Sequence, residues 1–205
     1  MTIFQLIMLA AAAFFAYQVY VHIQNIDEDA EPESMQALDE MKAAMLAPGL
    51  DKEAQEADFN ALIEEADKVY MDGDINKAKV MLEGIVKKFP SMAEGLNKLA
   101  FVLSKLGEED EALLYYRASL RIDESDDMTH NAIARLLTSM KKYDEAEEHY
   151  QRALSIDAEY EITWFNYASL MLEMDEKTRA KEMFEKALTI DPDLEEAKEA
   201  LKRLV

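Results

Sequence analysis

A period of 34 residues runs through about two thirds of this chain and limits its fold more than any other feature. In blocks beginning at Phe59, Ala93, Asp127 and Glu161, the eighth place is always alanine: Ala66, Ala100, Ala134 and Ala168. A second column is also uniform, with Ala78, Ala112, Ala146 and Ala180. Four residues later stands a bulky column of Leu82, Tyr116, Tyr150 and Phe184. The first half of each block carries an apolar stripe at i, i+3, i+4 and i+7, as in Leu96, Leu99, Ala100 and Leu103, followed by a break and a second stripe. The breaks fall at Asp72-Gly73-Asp74 and Leu106-Gly107, and at Lys141-Lys142 and Asp175-Glu176 in the later blocks. Each block is therefore read as two helices, whose axes approach closely at the alanines while the bulky column fills the space beside them. One pair cannot bury both its sides, whereas stacked pairs can.

The composition agrees with an all-α fold. Among 205 residues only five are Gly and four Pro, and half are apolar, enough for a sizeable core. A net charge of −21 opposes a phosphate backbone, so nucleic acid is not an expected partner. With no cysteine the chain can form no disulfide, thiolate metal site or cysteine nucleophile, and its redox compartment stays open.

The pattern resembles the tetratricopeptide repeat family, with its 34-residue period and its order of aromatic, small, small, aromatic, alanine and proline. The fourth block is the fullest match, with Trp164, Ala168, Ala180, Phe184, Ala187 and Pro192 closing in KALTIDPD. The third keeps Ala134, Ala146, Tyr150 and Ala153 but has His130 in the opening aromatic place and Ala158 for proline. In the second, Ser119 and Glu124 replace alanine and proline. The first keeps Ala66, Gly73, Ala78 and Pro90, with Leu82 and Ile85 for the aromatic and the alanine. The resemblance implies a right-handed superhelix of four helix pairs over 59–92, 93–126, 127–160 and 161–194, a capping helix over 195–205 and a concave binding face. The whole repeat domain is expected over 51–205.

The first residues have a different character. Ile3 to Ile23, IFQLIMLAAAAFFAYQVYVHI, carries no charge and is about 31 Å long as a helix, enough to cross a hydrocarbon core. Tyr17, Tyr20 and His22 gather at its far end, where amphipathic rings suit the headgroup level. A cleaved signal peptide is the rival reading, but no basic n-region precedes the run. Residues 1–23 are thus expected to form one transmembrane anchor, making the protein single-pass with its domain on the cytoplasmic side. That orientation rests on the short uncharged Met1-Thr2 tail, because the nearest Lys or Arg is Lys42. Residues 24–50 read as an acidic linker, with NIDEDAEPES followed by a possible short helix, MQALDEMKAAML, that Ala47-Pro48-Gly49 ends.

Motifs for catalysis are lacking. Glu145, Glu148 and His149 share one helix, but an acidic repeat makes such neighbours by chance, so no metal site is assigned. No Gly-rich phosphate loop and no nucleophile motif occurs, which leaves no reason to expect an enzyme, a cofactor or a small-molecule substrate. The thirteen methionines read as core filler.

A protein or peptide partner is what remains. In the family the first helices of successive pairs line the groove, and the matching places hold Asn97, Lys98, Phe101, Asn131, Arg135, Phe165, Asn166 and Ser169. Asparagines can pair with an extended backbone, Lys98 and Arg135 with carboxylates, and the two phenylalanines offer apolar pockets. Lys98, Lys105 and Arg135 stand against Glu94 alone in the middle repeats, so the groove's centre is expected to be the least negative part of the domain. The carboxylate clamp of chaperone-binding members requires Lys and Asn where Ile63 and Asp67 stand, so the resemblance does not extend to that ligand. The expected function is a membrane-tethered interaction scaffold; the alternative is a structural subunit that joins a larger complex through its membrane helix and convex surface.

Overall fold

Where Gly73, Gly107, Lys141 and Asp175 take a left-handed conformation, one helix ends and the next begins. The computed structural model describes residues 52–204, which hold nine α-helices and no strand. They are α1 (Lys52–Met71), α2 (Ile75–Lys88), α3 (Ala93–Leu106), α4 (Glu109–Leu120), α5 (Asp127–Ser139), α6 (Tyr143–Ile156), α7 (Glu161–Glu173), α8 (Lys177–Ile190) and α9 (Glu195–Leu204). The helices α3, α5, α7 and α9 begin 34 residues apart. The membrane-anchor and linker expectations fall on residues 1–50 and lie outside the described residues. Among the described residues no helix is long and apolar enough to cross a membrane.

The turn inside every pair has one construction. Gly73, Gly107, Lys141 and Asp175 have φ of 89°, 80°, 60° and 59°. The residue after each donates its N–H to a carbonyl five back: Asp74 to Val69, Glu108 to Leu103, Lys142 to Leu137 and Glu176 to Met171. This satisfies carbonyls that a helix end would otherwise leave unpaired. Between pairs, Asp126 caps α5 by accepting from the Thr129 N–H at 3.0 Å, and within the first pair Asp74 caps α2 by accepting from the Lys77 N–H at 3.2 Å.

Packing runs from each helix to the next in sequence, and also between α3 and α5 and between α5 and α7. The first helices of successive pairs thus share one face. Both alanine columns are buried to 1% exposure or less, and Leu82, Tyr116, Tyr150 and Phe184 lie beside them, also buried. Where alanine gives way to Ser119, the buried hydroxyl donates to the Ala93 carbonyl at 3.2 Å, so the departure leaves no orphan polar group. At the C-terminal end α9 places Ala197 in the core and pairs Lys198 with Glu195 at 2.7 Å.

Candidate functional site

Two cavities open on the face built from α1, α3, α5 and α7. The first, about 630 Å³, lies among α1, α3 and α5, with Leu82 and Tyr116 of the second helices behind it. The second, about 450 Å³, lies between α5 and α7 over Tyr150. Places along the first helix of each repeat recur every 34 residues, so residues of equal rank in adjacent blocks meet on this face.

Asn97, Lys98 and Phe101 line the first cavity together with Tyr70, Met128 and three carboxylates, Asp67, Glu94 and Asp126. Lys98 is held by its own chain: its Nζ lies 2.8 Å from Asp67 Oδ2 and 3.6 Å from Glu94 Oε1. The Asn97 amide donates to Asp126 Oδ2 at 3.1 Å, while its Oδ1, buried in the cavity wall, has no partner among the described residues. Phe101 meets the edge of Tyr70 with ring centroids 5.5 Å apart, and Lys105 Nζ sits 5.1 Å from its centroid. Phe101 remains 37% exposed and Met128 61%.

This corrects one expectation. Three carboxylates line the first cavity against the single ammonium of Lys98, so the middle of the face is not uniformly the least negative surface. Asp67 comes from the preceding repeat and Asp126 from the residue just before α5, and neither belongs to the inward places of the middle repeats.

The second cavity has the opposite character. Arg135, Asn166 and Ser169 line it with Lys141, Ser139 and Glu173. The Arg135 and Lys141 side chains are exposed and make no hydrogen bond or ion pair among the described residues, whereas Glu173 accepts from Tyr143 at 3.3 Å. Ser169 returns its hydroxyl to the Phe165 carbonyl at 3.0 Å. Asn131 and Phe165 line neither cavity. Asn131 is buried and accepts from Asn166 at 3.1 Å, and Phe165 tilts against Phe184 at 5.5 Å. Two of the three asparagines thus bond each other and the third bonds Asp126.

Tyr70, Met128, Ser139, Lys141 and Glu173 were not singled out from the sequence. All but Lys141 occupy first-helix places one turn from, or level with, the chosen ones, so the repeat register carried the signal. Lys141 belongs to a turn and gives none. Among the described residues no cluster of three or more His, Asp or Glu side chains has the geometry of a metal site.

Two family models, both described as tetratricopeptide repeat, match residues 93–126 and 126–193. No curated protein matches the sequence. Similar solved structures include one from a functional characterisation of Pseudomonas aeruginosa pilF, with 25% identity, a TM-score of 0.68, and coverage of 74% of this chain and 69% of that one. YrrB, described as a TPR protein with an unusual peptide-binding site, gives 22% identity and a TM-score of 0.62 over 89% of this chain and 97% of its own. The first TPR of Spaghetti (RPAP3), bound to the HSP90 peptide SRMEEVD, gives 21% identity and a TM-score of 0.53 over 55% and 89%.

Proposed function

Because this chain belongs to the tetratricopeptide repeat family, we propose that it is a membrane-tethered scaffold whose first-helix face holds an extended segment of a partner protein, in assembly, maturation or translocation at a membrane. The observation that carries the reading is the pair of neighbouring cavities on that face, which six of the eight candidate residues line. Exposed Phe101 and Met128 supply apolar contact area, and the unengaged Arg135 supplies a charged donor. The peptide-binding site of YrrB and the HSP90 peptide held by the first TPR of Spaghetti (RPAP3) support the same use of the fold. The tether rests on the uncharged run from Ile3 to Ile23.

Pull-down of partners from detergent-solubilised membranes tests the reading. Arg135→Ala should weaken capture by about 1.5–3 kcal/mol, the range for hydrogen bonds to a charged group, and leave the fold intact. Lys142→Ala, at a turn, should leave capture unchanged. Equal losses from both would move the binding surface off this face and favour a structural subunit that assembles through its outer helices.

A further inference from the structure

Within that reading, we propose that the face is electrically polarised and selects a segment carrying an apolar residue beside a basic one at one end and a carboxylate at the other. The first cavity would take the apolar and basic pair, and the second would take the acidic side chain or C-terminal carboxylate. Much of the charge on this face is already engaged within the chain. In the first cavity the Lys98 ammonium is neutralised by Asp67 and Glu94, and Asp126 adds a third carboxylate. Even counting Lys105 above the Phe101 ring, carboxylates outnumber ammoniums three to two. The rest of the lining is largely apolar and aromatic, with Tyr70, Phe101 and Met128, and such surfaces accept both alkyl stems and cationic heads.

The second cavity reverses this balance, with Arg135 and Lys141 against Glu173. Both side chains lack an ion pair among the described residues, so an incoming carboxylate would displace no internal partner. A uniformly acidic segment would be repelled at the first cavity and a uniformly basic one at the second. Only a polarised segment gains at both ends, and its direction along the face is thereby fixed.

A random library of twelve-residue peptides with free C-termini, presented to the detergent-solubilised full-length chain, provides the test. Peptides retained by the wild type should be enriched in Lys or Arg next to an apolar residue at one end and in Asp, Glu or the free terminus at the other. Asp67→Asn combined with Glu94→Gln should abolish the basic enrichment alone, and Arg135→Glu the acidic enrichment alone, each by about tenfold or more. All three residues are exposed, and wild-type melting temperatures would show that the variants fold. Retention of peptides without a basic preference, or the same change in both variants, would overturn the polarity and leave the groove reading standing. Retention of no peptide by the wild type would overturn both.

Discussion

His130 stands where Trp164 stands one repeat later, and the two rings make the same bond. Trp164 Nε1 donates to the Ala158 carbonyl at 2.8 Å and His130 Nε2 to the Glu124 carbonyl at 3.3 Å, each six residues back. That bond fixes the neutral tautomer of His130, leaving its Nδ1 to accept from His149 Nδ1 at 2.9 Å. The sequence marks His130 as a departure from an aromatic column, but its retained N–H role and its pairing with a residue of the next helix emerge only when α5 and α6 pack. Burial, with His130 and Arg117 nearby, pushes His149 from 6.5 down to about 4. Burial also lowers His130, aided by Arg152 and opposed by the Glu124 carbonyl, Asp126 and Asp127. An unfolded chain therefore binds protons here before the folded one does. The stability gained from neutral His149 is fully present above pH 6.5 and is lost as pH falls through about 4. Unfolding free energies from urea titrations between pH 7.5 and 4 should fall less steeply for His149→Gln than for the wild type, by on the order of 1–2 kcal/mol after solvent screening. Parallel curves would mean that the pair is not held neutral.

At the scale of helices, the alanine columns and the left-handed turns make separate demands. Enlarging Ala134 or Ala146, each with no exposed surface, to Leu should cost about 1–3 kcal/mol through overpacking, seen as a lowered Tm. Exposed Glu148→Gln should be nearly silent. The turns follow a different rule, because a Cβ at Gly107 would meet nothing within 4 Å and the only obstacle is φ. Gly107→Ala should therefore destabilise by about 1–2 kcal/mol from backbone strain alone. Asp175→Gly relieves the same strain and should raise Tm slightly, the reduction in strain being partly offset by the freer unfolded chain. Helix pairs and alanine contacts were legible because one register imposes them four times. The turns at Lys141 and Asp175 were legible chiefly by position, since Lys does not favour a positive φ and Asp favours it far less than glycine.

Among the described residues the repeats are built by adjacency, with every substantial helix contact lying within a pair or between neighbouring pairs. The same adjacency explains why the site was less legible than the fold. The first cavity draws Asp67, Glu94 and Asp126 from α1, α3 and the residue before α5, so a tally within the middle repeats gives the wrong sign for its charge. For the proposed tether, full-length protein should resist alkaline carbonate extraction from membranes, and its release into the soluble fraction would defeat the anchor. The seams between pairs are cross-linked by bonds such as Arg179 to Glu147 and Asn166 to Asn131. Mechanically, such a domain behaves as a series of links. Stretched between its ends, it should yield one repeat at a time, each 34-residue unit paying out about 110–120 Å of chain while the units behind it keep their grip.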